Sequence, residues 1–238
     1  MFKHTSSSFG LALLAGFLLL TDDKTTAAVF TIQPQNEAES KDTKIYSSVA
    51  GSNFSSNLSV VSADITDFRS LVQFDLSAVA GLLAADITSA SLRLYVTGLN
   101  TNDLSTATSV PVTVSPILGD WRETSTDPGS APLATWSAFF GTTPTITYGA
   151  VAAMQNATGV GYFDWDITNL VKSWKDGSQA NYGVFLQAPG PLGDVGISDT
   201  DTPAFAPALI ISSPVPEPAT SGLVILSLMG LALRHRRA

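Results

Sequence analysis

Alternating apolar and polar side chains run through Ile87-Thr88-Ser89-Ala90-Ser91-Leu92-Arg93-Leu94-Tyr95-Val96. Successive side chains of a β-strand point to opposite faces, so Leu92 and Leu94 would share one face while Arg93 and Tyr95 share the other. This period of two predicts a strand with one buried face and one solvent-facing face.

The same period recurs along the middle of the chain. At 71–76 it places Val72 inside and Leu71 outside, and it is repeated at 110–114 and 162–167. Many strands without a regular alternation of strands and helices predict an all-β fold, a jelly-roll-type β-sandwich. Further strands are predicted at 43–48, 57–62, 182–188 and 206–212.

One short helix is predicted within this pattern. Ile167, Leu170 and Trp174 recur at i, i+3 and i+7, which places them on one apolar face of a helix. Asp166 or Thr168 is suited to cap its first turn. We therefore expect this face to pack against the sandwich.

Composition limits the classes of partner. Charged residues make up 13% of the chain, about half of the roughly 25% found in an average soluble domain. Five of the 12 basic and three of the 20 acidic residues lie outside 29–213, which leaves 7 basic and 17 acidic residues and a net charge of −10 in the middle. Such a surface repels phosphate backbones, so no nucleic-acid binding is predicted, whereas neutral sugars, cationic partners and divalent cations remain compatible.

Histidine and cysteine are missing from the middle of the chain. Cysteine is absent altogether, and the two histidines are His4 and His235. The middle therefore lacks the residues needed for disulfides, for Ser-His-Asp or Cys-His catalysis and for histidine-ligated zinc. Catalysis there would have to rely on carboxylates or tyrosine.

The N-terminus has the three parts of a secretory signal peptide. Lys3 and His4 precede an apolar run at 9–20, which is followed by Thr26-Ala27-Ala28. A basic start, about a dozen apolar residues and small residues at a cleavage point are typical of such signals. A removable signal helix is therefore predicted at 1–28, and with it export across the inner membrane.

A Pro-rich linker, an uncharged apolar segment and an Arg-rich end follow one another at 214–238. The segment at 219–233 predicts a short membrane helix with the arginines on the cytoplasmic side. This order resembles the PEP-CTERM sorting signal, which implies an exosortase partner, transient membrane anchoring and a final place at the cell surface or in the extracellular matrix of a biofilm-forming, exopolysaccharide-producing bacterium. The residues that carry the resemblance are Val215, Pro216, Glu217, Pro218, Arg234, Arg236 and Arg237.

Four blocks cover most of the middle. They are 69–77, 87–96, Trp121-Arg122-Glu123 followed by Trp136, and 166–183. In this order they resemble the DNRLRE-type domain, which implies a jelly-roll sandwich akin to carbohydrate-binding modules, here at 29–213. The long segment between Thr124 and Val160, rich in Ala, Thr and Gly, departs from that pattern and leaves the alignment of the binding-face loops open.

Two groups of carboxylates are candidate sites. Asp164 and Asp166 would share one face of a strand about 7 Å apart, a spacing compatible with glycoside hydrolysis; alternatively, Asp166 caps the helix and Asp164 faces solvent. Asp199 and Asp201, with help from Asp42, would supply oxygen ligands to a structural Ca²⁺, although an acidic surface turn contains the same residues. No other cofactor is predicted.

Aromatic residues offer a third candidate. Trp121 and Trp136, with Phe139 and Phe140 nearby, would form a stacking platform for sugar rings. The alternative is that these tryptophans pack in the core.

The preferred function is that of an exported, non-catalytic surface or matrix protein that binds polysaccharide weakly. Two alternatives remain. One is a carboxylate-based glycosidase or polysaccharide lyase, and the other is an adhesion or assembly module that binds protein partners.

Overall fold

A computed structural model describes residues 27–34, 40–54, 58–62, 67–100, 109–189 and 193–214. Most of the predicted signal peptide and the whole sorting signal after Pro214 lie outside these ranges. Within them, no helix has the length and apolar character that crossing a membrane requires.

The described residues form twelve β-strands, two α-helices and four 3₁₀ turns, so the predicted all-β class is confirmed. In chain order the strands are β1 (Ala27–Ile32), β2 (Ser40–Tyr46), β3 (Asn53–Phe54), β4 (Leu58–Ser62), β5 (Asp67–Phe74), β6 (Ser89–Asn100), β7 (Val110–Pro116), β8 (Ala153–Ala157), β9 (Gly161–Asp166), β10 (Val184–Gln187), β11 (Gly193–Ile197) and β12 (Ala208–Pro214). The helices are α1 (Trp136–Phe140) and α2 (Thr168–Asp176), and the 3₁₀ turns are Ser47–Val49, Ser77–Val79, Ala84–Asp86 and Pro203–Phe205.

The strands form an antiparallel sandwich of two layers. One layer contains β3, β2, β5, β10, β7 and β8 side by side, and the other contains β1, β12, β6 and β9. β11 and β4 join β6 to β5, so hydrogen bonding continues from one layer to the other. The first and last strands pair along their length, with Ala27 opposite Pro214 and Ile32 opposite Leu209.

An inner core lies between the two layers. The period of two correctly places Leu92 and Leu94 of β6 in it. Trp165 is also buried there, and its indole Nε1 donates to the Val112 carbonyl oxygen at 2.9 Å. The core therefore joins β6, β7 and β9. Its larger members include Val72, Phe74, Val96, Val114, Leu170, Val171, Trp174, Val184, Leu186, Leu209 and Ile211.

Helix α2 covers one end of the inner core. Its nine residues are too few for a stable isolated helix, so burial of Leu170 and Trp174 must stabilise it. Asp166 accepts hydrogen bonds from the Thr168 amide at 2.9 Å and from the Thr168 hydroxyl at 2.6 Å, which fixes the start. Gly177 ends the helix with a left-handed φ of 77°.

A second, outer core lies on the opposite face of the β5–β10 layer. Leu71, expected on the outside, is fully buried there together with Ile45 and Phe185. The segment at 117–150, which lacks a strong periodic pattern, folds across this face and contributes Trp121 and α1. The expectation of a single helix is therefore wrong, because α1 forms within the covering segment. The strand predicted at 43–48 instead runs from Ser40 to Tyr46 and ends in a 3₁₀ turn.

Candidate functional site

A cleft of about 680 Å³ opens where β2 and β5 meet the loop that follows residue 119. Its walls are mostly polar, and they bring together segments that lie far apart in the sequence. It is lined by Ser40, Lys41, Gln73, Phe74, Asp75, Leu76, Asp120, Trp121, Arg122, Glu123, Asp127, Pro128 and Asn181.

Trp121 forms the base of one wall from within the outer core. Trp121 is only 1% exposed, and its indole Nε1 donates to the Tyr182 carbonyl oxygen at 2.8 Å. Lys41 Nζ lies 4.8 Å from the centroid of the indole ring and donates to the Trp121 carbonyl oxygen at 2.8 Å. The ring therefore does not present an open face to solvent, which favours core packing for Trp121.

The loop beside Trp121 is held by Arg122 and Asp127. Arg122 Nε donates to the Ala131 carbonyl oxygen at 2.6 Å. Asp127 accepts from the Glu123 and Thr124 amides at 2.8 and 2.9 Å and also from the Thr124 hydroxyl. Burial opposes ionisation of Asp127, but these hydrogen bonds outweigh it and hold its pKa below the ordinary value. The wall is therefore braced before any ligand arrives.

The opposite wall carries fixed hydrogen-bonding side chains. Gln73 Nε2 donates to the Asn181 carbonyl oxygen at 2.7 Å, and Asn181 Nδ2 donates to the Phe74 carbonyl oxygen at 2.9 Å. Asp75 is exposed and accepts from the hydroxyl and amide of Ser77 at 2.7 and 2.9 Å, which lowers its pKa. Asp75 is therefore a carboxylate that can accept hydrogen bonds from a ligand.

Glycine is needed where the chain passes this wall. Gly183 has φ of +84°, and a Cβ there would lie 2.3 Å from the Val72 carbonyl oxygen. The Gly183 amide also donates to Asn181 Oδ1 at 3.1 Å. The tight turn thus holds Asn181 against β5.

Three of the sequence blocks described above meet in this cleft. Gln73 and Asp75 come from the first, Trp121-Arg122-Glu123 is the third, and Asn181 belongs to the fourth. Gln73, Asp75 and Asn181 were not among the predicted site residues. Two signals in the sequence could have identified Gln73 and Asp75. Both residues belong to the first block, and both take outward positions in the alternation at 71–76.

Trp136 lies elsewhere on the outer layer, away from the cleft lining. Its ring is half-buried, 4.4 Å from the Phe140 ring centroid and 5.6 Å from Arg69 Cζ. Phe139 is buried in the outer core, whereas Phe140 is partly exposed. The two candidate tryptophans therefore do not form one platform, and a sugar contact at Trp136 stays a prediction.

The three candidate calcium ligands are only partly brought together. Asp42 is fully buried and accepts from the Thr200 amide at 3.2 Å, which places it beside the buried Asp199. Asp201 is exposed. Across the described ranges, no group of three or more His, Cys, Asp or Glu residues is arranged to hold a metal ion, so calcium binding stays a prediction.

A second cleft of about 420 Å³ lies next to Asp199 and contains Lys44, Phe68 and Asp194. Burial lowers the pKa of Lys44, although Asp194 and Asp199 oppose this shift. Burial raises the pKa of Asp194, and Lys44 only partly offsets it. Keeping Lys44 and Asp194 charged therefore lowers the stability of the folded state.

This cost predicts a pH-dependent effect of Asp194→Asn. The folded-state pKa of Asp194 lies above the ordinary value of 3.8, so the carboxylate lowers stability increasingly as the pH rises through that raised pKa. We expect the variant to gain stability over the wild type between about pH 3 and pH 7, as measured by urea denaturation. A loss of stability at neutral pH in Asp194→Asn would contradict the prediction.

The carboxylates of β9 already have partners. Asp164 accepts two hydrogen bonds of 2.8 Å from Arg93 Nε and Nη2. The hydroxyl and amide of Thr168 lower the pKa of Asp166. Glycoside hydrolysis requires one carboxyl group with a raised pKa that remains protonated as the general acid. The geometry at β9 favours an ion pair and a helix start over such a catalytic pair.

Comparison with known families adds one match. A family model described as carbohydrate-binding module family 96 matches residues 33–213. The match spans every residue that lines the cleft. No curated protein matches the chain.

Proposed function

The chain belongs to carbohydrate-binding module family 96, and we propose that its sandwich binds a polysaccharide in the cleft between β2, β5 and the loop at 120–128. The observation that carries this proposal is the convergence of three blocks of the matched region on that cleft. A volume of about 680 Å³ is also in the range of small-ligand sites, roughly 300–1,000 Å³.

The cleft would recognise sugar hydroxyl groups through fixed polar side chains. Asp75 supplies carboxylate oxygens, while Lys41 and Asn181 supply N–H groups close to the opening. Their positions are set by Ser77, Trp121 and the backbone of β5. Little side-chain entropy would be lost on binding, because the groups are already held in place.

The rest of the proposal concerns location. We propose that the protein is exported, that exosortase processes it near Pro216-Glu217-Pro218, and that the sandwich acts without catalysis at the cell surface or in the matrix. The terminal motifs of the sequence support export and processing. The partnered carboxylates of β9 support a role without catalysis. Intact-mass measurement of protein released by cells should show loss of mass near Ala28 and near Pro218. A released species that keeps Arg234 to Arg237 would contradict it.

Cleft variants test the binding site. The double variant Gln73→Ala/Asp75→Ala removes one outward side chain near the end of β5 and one just after it, without touching backbone pairing. We expect it to weaken binding at least tenfold, about 1.4 kcal/mol, towards the glycan that gives the strongest signal on an array. Isothermal titration calorimetry measures this change.

The matched control is Gln155→Ala/Asp86→Ala, which changes the same residue types at exposed positions outside the cleft. It should bind as the wild type does. Equal affinity in the cleft variant would place the site elsewhere. Release of reducing sugar by the wild type would favour the glycosidase alternative, and binding to a protein but to no glycan would favour the adhesion alternative.

A further inference from the structure

Two exposed aromatic rings and one half-buried ring lie together on the outer face of the β6–β9 layer. We call Tyr95, Tyr162 and Phe205 the aromatic platform. The Tyr95 and Phe205 rings are stacked with centroids 4.3 Å apart, and Tyr162 meets Tyr95 edge-on at 5.0 Å. Tyr162 is 50% exposed and Phe205 is 38% exposed. Neither ring belongs to the inner or the outer core.

The platform is held in place by polar contacts. The Tyr162 hydroxyl donates to the Ala204 carbonyl oxygen at 3.1 Å, which links β9 to the turn that carries Phe205. Arg93 Cζ lies 5.8 Å from the Tyr162 ring centroid, and its guanidinium is fixed by the two hydrogen bonds to Asp164. These contacts hold the rings in place without a ligand. The rings pack against each other outside both the inner and the outer core.

The platform and the cleft lie on opposite sides of the sandwich. Leu92 and Leu94 of β6 point into the inner core, so Tyr95 faces outward from that layer. Val72 of β5 points into the same core from the other layer, so Gln73 faces outward in the opposite direction. A ligand in the cleft therefore leaves the platform accessible.

The chemistry of the platform fits an uncharged sugar ring. Aromatic faces pair with the C–H faces of pyranoses. Arg93 and Asp164 form an ion pair beside the rings, and their opposite charges offset each other. Their side chains are 42% and 44% exposed, so they can still form hydrogen bonds with the hydroxyl groups of a sugar. The complementary surface is therefore apolar on one face, rich in hydroxyls at the edge and without net charge.

We propose that the aromatic platform is a second carbohydrate-binding surface that takes the C–H face of an uncharged pyranose, so that one molecule bridges two polysaccharide chains. The bridging rests on the cleft being the first site, whereas binding at the platform does not. A single-site module coats a polymer, but a module with two opposed sites links polymers.

The test compares Tyr162→Ala/Phe205→Ala with the cleft variant Gln73→Ala/Asp75→Ala. The probe is the glycan with the strongest array signal, used as a short oligosaccharide and as the polymer. For the wild type we expect two oligosaccharides per chain in calorimetry and turbidity with the polymer. Each variant should bind one oligosaccharide per chain and lose most of the turbidity.

One further variant controls for general hydrophobicity. Met154→Ala removes an exposed apolar side chain of β8, outside the platform, and should behave as the wild type. Circular dichroism checks that all variants remain folded.

Several results would overturn the proposal. One is a stoichiometry of one oligosaccharide per chain for the wild type, and another is a platform variant that links the polymer as well as the wild type does. A third is a wild-type dimer in sedimentation that the platform variant loses, because the rings would then contact a second copy of the chain. If the cleft variant keeps both sites, the cleft assignment fails. If only the cleft variant loses binding and the platform variant changes nothing, the platform fails while the cleft assignment stands.

Discussion

Trp174→Ala is expected to lower the free energy of unfolding by about 3–5 kcal/mol, the usual range for truncation of a large buried aromatic residue. Trp174 is only 8% exposed and packs in the inner core beside Leu170 and Val171. Helix α2 depends on this burial. Since small domains have only about 5–15 kcal/mol in total, the loss should be visible as a large shift of the urea midpoint.

Two variants sharpen this test. Trp174 Nε1 is buried and has no hydrogen-bond acceptor among the described residues, so Trp174→Phe removes an unsatisfied donor and should cost much less than alanine. Lys172→Ala on the same helix should leave stability nearly unchanged. A wild-type midpoint for Trp174→Ala combined with lost sugar binding would show that the ring is a surface contact.

Trp121→Ala should be as costly, about 3–5 kcal/mol, but through the outer core. The ring fills the space between the β5–β10 layer and the segment at 117–150, and the variant also loses the hydrogen bond to Tyr182. We expect the covering segment to loosen first, so limited proteolysis should cut within 118–150 before the sandwich. Glycan binding should fall with it, because one wall of the cleft belongs to that segment.

The half-buried Trp136 provides the comparison for Trp121. Trp136→Ala should cost clearly less stability, because the ring already contacts solvent. If Trp121→Ala kept the wild-type stability and proteolysis pattern while binding disappeared, Trp121 would be a direct sugar contact. Equal losses of stability in both variants would contradict the expectation that the fully buried ring contributes more than the half-buried one.

The sandwich itself was predictable because its inner faces follow a local rule. Leu92, Leu94 and Trp165 alternate with solvent-facing residues, and this alternation is visible in the sequence. Leu71 was misplaced because β5 is covered on both faces, so Ser70, Leu71 and Val72 are all buried. Which distant segment covers a strand is not encoded in the period of that strand.

The cleft was harder to predict for a related reason. Lys41, Gln73 and Asn181 become neighbours through strand pairing and one turn, not through spacing in the sequence. The Asp42 carboxylate accepts a hydrogen bond from the Thr200 amide, next to Asp199, whereas Asp201 is exposed, so a calcium site at these three residues stays a prediction. Residue type alone could not separate a buried hydrogen bond from an ion site.

The pairing of the first and last strands has a further consequence. Val29 lies opposite Ser212, so the two ends of the sandwich at 29–213 are separated by about 5 Å, one spacing between strands. This distance equals the spacing between the two strands of a β-hairpin in another protein. The sandwich could therefore be spliced into a surface loop of an unrelated scaffold, or circularly permuted through a short linker between 29 and 212, without stretching β1 or β12.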